Sequence, residues 1–191
     1  MTNAKEALER LQDGNRRFVL GLSSHGRSQE QERIALSEAQ HPFAAVLCCS
    51  DSRVVPELIF DQYLGDLFVV RVAGNILDDA IIGSLEYAVV GLDVKLILVM
   101  AHENCGAVQA AIAGNESMNH IDELVRAIRP AVQQVLEMSG DLLMNTVLAH
   151  ARLVTKALGE SEPVLAPARA DRGLAIQTAC YSLKSGEVEL L

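Results

Sequence analysis

The sequence predicts an α/β fold, a mainly parallel β-sheet flanked by helices. Three observations carry that prediction. Short, continuous apolar runs recur at residues 43–49, 67–72 and 94–100, and strands covered on both faces read this way rather than alternating. Each run is followed by a polar or glycine-bearing loop and a segment of helical periodicity, the alternation of βαβ units. The first and third runs end in dense chemistry. Cys49, Asp51 and Arg53 follow one, and His102, Glu103, Asn104 and Cys105 follow the other. Open α/β sheets place their sites at the carboxyl ends of strands, so one site built from two loops is expected.

In chain order, Asn3 or Thr2 caps a helix over residues 4–13 with Ala7, Leu8 and Leu11 on one face. Gly14 is expected to end it, with a short second helix over 16–20, a polar loop or arm over 21–31 and another short helix over 32–39. Such an amphipathic element joined by a polar loop suits either a partner subunit or a plain surface. Pro56 and Glu57 open a short helix ending near Tyr63, since proline is tolerated in a first turn. Gly65 and Asp66 turn the chain into the second strand, whose β-branched content supports it. Asp78 or Asp79 caps a helix over 80–90 that Gly91 stops, and residues 106–113 form a helix behind the His/Cys loop. Ile121, Leu124, Val125 and Ile128 make a helical face that Pro130 interrupts and Val132, Val135 and Leu136 continue. A second long helix spans 142–158 behind Asp141, then Pro163, Pro167 and Gly173 bracket a loop. Residues 174–181 and 188–190 form a last strand, or a strand and a short extension. With no repeat or linker, residues 1–191 read as one domain, a helical arm over 1–39 and an α/β core with C-terminal helices and strand over 40–191.

Composition narrows the function classes. A net charge of −9 without a cluster of Lys and Arg excludes a duplex nucleic-acid binder. The opening residues lack the apolar segment of a leader, and no run approaches about 18 apolar residues, so neither secretion nor a membrane span is expected. Cys48, Cys49, Cys105 and Cys180 in such a chain fit a reducing, cytoplasmic setting, where metal-binding or catalytic cysteines are commoner than disulfides. Half the residues are apolar yet only 4% aromatic, and a surplus of small apolar side chains suits burial in an obligate subunit interface.

Cys49, His102 and Cys105 offer soft ligands from two loops, and a catalytic zinc has three protein ligands and one exchangeable position. The competing reading of any one Cys/His pair is a small buried hydrophobe beside a chance histidine. Asp51 and Arg53 sharpen the metal reading, because a carboxylate beside a metal orients a nucleophile and an arginine holds that carboxylate bidentately. As a surface pair alone they contribute roughly 0–1 kcal/mol. Cys48 alternates to the opposite face of the sheet; Cys180 reads as core. His25, His41, His120 and His150 read as surface or packing residues. Neither a P-loop nor a dinucleotide fingerprint is present.

Cys49-Ser50-Asp51-Ser52-Arg53, followed 53 residues after Cys49 by His102-x-x-Cys105-Gly106, resembles the β-class carbonic anhydrases. The likeness takes in residues 65–71, Ala73-Gly74-Asn75 and residues 83–87, and more loosely residues 15–18 and the stretch from Tyr181 to Val188. The resemblance implies one Zn²⁺ per chain on Cys49, His102 and Cys105, and reversible hydration of carbon dioxide to bicarbonate and a proton by metal-bound hydroxide. It implies that Asp51 either occupies the fourth metal position or pairs with Arg53 and orients the hydroxide. It places Gln40 as a donor to substrate oxygen, with Phe68, Ala73, Tyr87 and Gly106 around the substrate, partly across a dimer interface. It also implies a homodimer or dimer of dimers in which the N-terminal helices embrace the neighbouring subunit. COS or CS₂ hydrolysis on the same scaffold, or a non-catalytic zinc-bearing relative, are the alternatives.

The sequence departs from the family's commonest pattern at five places. Ala101 stands for a glycine and Glu103 for a Ser or Thr, Thr178 for a glycine and Ser182 for an aspartate; Ala73 replaces a bulkier aliphatic. Glu103 either perturbs the site's electrostatics or points to solvent, and Thr178 and Ser182 concern packing.

Overall fold

The computed structural model describes residues 2–24, 30–114 and 119–191. His25 and the adjoining part of the predicted 21–31 loop lie outside them. Four strands, β1 (Ala44–Cys48), β2 (Leu67–Arg71), β3 (Leu96–His102) and β4 (Ala175–Tyr181), run parallel, and β5 (Val188–Leu190) joins β4 antiparallel. The order is β2-β1-β3-β4-β5. From β1 the chain moves outward to β2, then crosses back to place β3 on the other side of β1. This reversal makes the carboxyl ends of β1 and β3 the topological switch point, where open sheets leave a crevice for a ligand.

Both faces of the sheet are covered, which is why β1 and β3 are buried along their whole lengths. Ala44, Val46 and Cys48, with Leu96, Leu98 and Met100, pack against Ala7 and Leu11 of α1 (Ala4–Val19) and Ile59 and Phe60 at the end of α3 (Pro56–Ile59). Ala45, Leu47, Ile97 and Val99 face α4 (Asp79–Gly91), α7 (Leu142–Gly159) and α8 (Leu165–Asp171) through Leu85, Ala88, Val154, Leu158 and Leu165. A third cluster joins Cys49, Ala101, Cys105 and Cys180 to α5 (Gly106–Ala113), α6 (Ile121–Val135) and α7. Cys48 thus faces away from Cys49, as alternation requires. The remaining helix, α2, covers Glu30–Leu36.

Caps follow the sequence closely. Asn3 and Glu6 form a reciprocal capping box on α1, Asp78 accepts from Ile81 N at 2.7 Å on α4, and Asp141 accepts from Leu143 N at 2.9 Å on α7. Five boundaries differ from expectation. First, α1 runs through Gly14 to Val19 as one helix. Gly14 is no stop; a Cβ there would lie 1.7 Å from Phe60 O, so glycine is what lets α1 lie on the chain leaving α3.

Second, α6 continues through Pro130. An interior proline costs about 3 kcal/mol, and the buried stripe of Val125, Ile128, Ala131, Val132 and Val135 outweighs it. Third, the predicted loop between Pro163 and Gly173 contains α8; Pro167 falls in its first turn, where the missing N–H has no partner to lose, and Leu165 and Ala168 are buried. Fourth, β3 extends to His102, which is therefore a strand residue paired with Tyr181 rather than part of the following loop. The helix from Pro56 is also shorter than expected, ending at Ile59.

Candidate metal centre

Cys49 leaves β1, His102 ends β3, and Cys105 stands immediately before α5, so the switch point brings all three together. One donor atom from each lies within 4.8 Å of the other two, and all three residues are buried. Among the described residues this is the one group of three or more His, Cys, Asp or Glu side chains so placed.

Each ligand is aimed by backbone. Gly74, held at φ +70° in the turn Ala73–Asn75, donates its N–H to Cys49 Sγ at 3.3 Å. The Cys105 thiol beside it, then His102 and the N–H groups of Gly74 and Asp51, hold Cys49 well below the ordinary thiol range, to about 4, against the opposing effect of burial. The neighbouring Cys49 and burial push the Cys105 thiol up, while the N–H groups of Ala107 and Val108 at the start of α5 favour its thiolate. His102 donates Nδ1–H to Glu103 O at 2.8 Å, which leaves Nε2 as the acceptor. Nε2 is buried and has no hydrogen-bond partner. Two thiols and an orphaned imidazole nitrogen within reach of one cation are a zinc donor set: a bound metal would satisfy Nε2 and favour both thiolates.

Asp51 lies beside this group and rests on Arg53. Its two carboxylate oxygens accept from Arg53 Nε at 2.9 Å and from the terminal nitrogen at 2.7 Å, and Arg53 N–H donates to Oδ1 at 2.9 Å. These bonds hold the Asp51 carboxyl well below the usual carboxylate range. Of the two arrangements open from sequence, the structure has the Arg53 pair.

The other predicted residues divide. Ala73 belongs to the turn that carries Gly74, and Gly106 opens α5 with free space where a side chain would stand. Phe68 and Tyr87 form a tilted ring pair with centroids 6.1 Å apart, and Tyr87 remains exposed. Gln40 precedes β1, at the end of the sheet opposite Cys49, and lines a separate 420 Å³ surface cavity with Thr2, His41, Phe43 and Asp93. Within one chain it does not meet the three ligands.

Two contributors escaped the sequence expectations, and a third, Glu103, had its role left open there. Arg71 donates from Nε to Cys49 O at 3.1 Å and from its terminal nitrogen to Asp51 O at 2.7 Å, clamping the loop after β1. A charged residue closing an apolar strand was the available signal. His150 on α7 sits 2.8 Å from Gly74 O through Nε2, so it secures the turn whose N–H meets Cys49. Its position on a buried helical stripe gave only packing. Glu103 does not point to solvent; its carboxylate accepts from Ser182 Oγ and from Leu183 N, each at 3.0 Å.

Fold and cluster together define a zinc metalloenzyme on an open, mostly parallel α/β sheet, its metal at the switch point between β1 and β3. A family model described as carbonic anhydrase matches residues 44–188. A carbonic anhydrase of Mycolicibacterium smegmatis is 36% identical over 99% of this chain and 94% of its own length, and carbonic anhydrase 2 of Mycobacterium tuberculosis is 44% identical over 69% of this chain and 65% of its own. The solved beta-carbonic anhydrase CcaA superposes with a TM-score of 0.77 at 30% identity, covering 96% of this chain and 94% of that one. The chain belongs to the β-carbonic anhydrase family.

Proposed function

We propose that this chain catalyses the reversible hydration of carbon dioxide to bicarbonate and a proton, with zinc on Cys49, His102 and Cys105. The observation that carries the reading is the convergence of those three donor atoms within 4.8 Å beside an Arg53-held Asp51. Zinc bound there supplies a nucleophile at neutral pH by lowering the pKa of water from about 15.7 toward about 7. Asp51, ionised and held by Arg53, would accept a hydrogen bond from that nucleophile and aim its lone pair at the substrate carbon. One C–O bond forms, one C=O double bond becomes single, and the proton lost from water passes to solvent buffer. Carbon dioxide is small and apolar, and Phe68, Ala73 and Tyr87 are assigned to its wall, with Gly106 leaving the start of α5 open.

Gln40 is assigned to a substrate oxygen in the site of a second copy, because its own chain holds it at the wrong end of the sheet. A homodimer, alone or paired into a dimer of dimers, with residues 1–39 as an arm over the neighbour, accounts for that placement. Val19, Leu20, Leu22 and Ile34 on the arm are exposed and apolar, which supports the same contact. Residues 1–191 then act as one domain. The setting we assign is cytoplasmic, supported by four free, buried cysteines. Among the described residues no helix is long and apolar enough to cross a membrane.

Stopped-flow carbon dioxide hydration and COS hydrolysis on one zinc-assayed sample test the reading. Hydration far above the buffer rate and faster than COS turnover is expected. COS turnover exceeding hydration assigns the other substrate, and no turnover of either in zinc-loaded protein removes the catalytic reading.

A further inference from the structure

We infer that Glu103 and Ser182 form a strap that positions the zinc-ligating histidine. The inference rests on the zinc reading of Cys49, His102 and Cys105.

The geometry runs from His102 outward. His102 Nδ1–H is held by the carbonyl of Glu103 at 2.8 Å, so the orientation of the Glu103 peptide sets which way Nε2 points. Glu103 is held through both backbone and side chain. Its N–H, in the peptide that joins it to His102, donates to Tyr181 O at 3.1 Å, continuing the β3–β4 ladder by one bond. Its side chain reaches past the ladder, and Oε2 accepts from Ser182 Oγ and from Leu183 N, both at 3.0 Å. Ser182 is itself anchored: its N–H donates to Glu187 O at 2.9 Å, and its hydroxyl accepts from Ser185 N at 3.3 Å. Directly after Glu103, Asn104 adopts a left-handed φ of 52° before Cys105. The strap therefore holds the segment between two ligands where the backbone is least able to hold itself.

A carboxylate accepting from a hydroxyl and a backbone N–H is a charge-assisted contact, so Glu103 and Ser182 act as a pair across the end of β4. Glu103 is half-buried and in contact with the end of β4, so it acts through the His102 ring and not on substrate. It is a positioning residue.

Competitive chelator titration of zinc into the apo-protein, with the Co²⁺ spectrum of the same variants, tests this. Glu103→Ala is expected to weaken zinc about tenfold, and Ser182→Ala to weaken it less. Glu103→Gln keeps an acceptor without the charge and is expected to stay within about threefold of wild type, which a purely electrostatic role of Glu103 does not allow. The exchange Glu103→Ser with Ser182→Asp is expected to bind more tightly than either single change and to restore the wild-type Co²⁺ spectrum. Equal zinc affinity in wild type and Glu103→Ala, or an exchanged protein no better than its worse parent, overturns the strap. Should Glu103→Ala not fold, zinc affinity of Glu103→Gln and of the exchanged protein decides between the same two outcomes. Wild-type protein that takes up no zinc overturns the metal reading itself, a separate result.

Discussion

Asp51 is useful only while it is charged and still, and Arg53 supplies both conditions. The fork of two side-chain bonds, at 2.9 and 2.7 Å, aligns the carboxylate plane, and the backbone N–H of Arg53 removes its remaining freedom. Because these bonds depress the Asp51 pKa, the stability they contribute is present above the unfolded value of about 3.9 and is lost as pH falls through the folded value. Asp51 therefore does not set the acid limb of activity near neutrality. Asp51→Asn is expected to retain about one zinc per chain and to lose roughly 10²-fold in kcat, the lower range for a positioned proton-handling group. Metal assay and stopped-flow hydration of the purified variant read both quantities, and an undiminished kcat removes the orienting role.

Two elements fix the site from outside it. On one face, α1 rests against the chain leaving α3 through Gly14, where any side chain meets Phe60 O. Replacing an interior helical glycine by alanine ordinarily stabilises by about 1 kcal/mol. Gly14→Ala is expected to reverse that sign and destabilise by about 3 kcal/mol, since a backbone carbonyl cannot move aside as a flexible side chain does. Urea unfolding measures it, and a variant as stable as wild type contradicts this account of α1. On the other face, α7 delivers His150 to Gly74 O. Burial lowers the His150 pKa, with the Gly74 contact opposing. The unfolded chain thus binds the proton first as pH falls below about 6.5, and native stability declines through that window. Melting temperatures of wild type and His150→Gln at pH 5.5 and 7.5 are expected to diverge, with only wild type losing the stability tied to this histidine; parallel curves contradict it.

At the scale of the whole molecule, the sheet and the three ligands were legible because they rest on local signals. Continuous apolar runs marked β1, β2 and β3, and a cysteine after one and His-x-x-Cys after another marked the crevice between them. What local signals miss is settled by packing across the chain. Gly14 and Pro130 punctuate helices in isolation, yet Phe60 O and the stripe from Val125 to Val135 decide otherwise. Arg71 and His150 reach the site only through hydrogen bonds between elements distant in sequence, and the Glu103 side chain finds Ser182 the same way, which spacing does not record. Gln40 belongs to a larger scale still. If it serves a neighbour's site, mixing Gln40→Ala subunits with Asp51→Asn subunits rebuilds one intact site per mixed dimer and is expected to return activity to about a quarter of wild type. Activity no higher than the average of the two variants contradicts a shared site.

The most direct test of the central claim is reconstitution. Apo-protein titrated with Zn²⁺ under reducing conditions, with hydration followed at each addition, is expected to gain activity linearly and to saturate at about one equivalent per chain, while Cys49→Ser gains none. Activity without zinc, or wild-type reconstitution of Cys49→Ser, would contradict the assignment of the site.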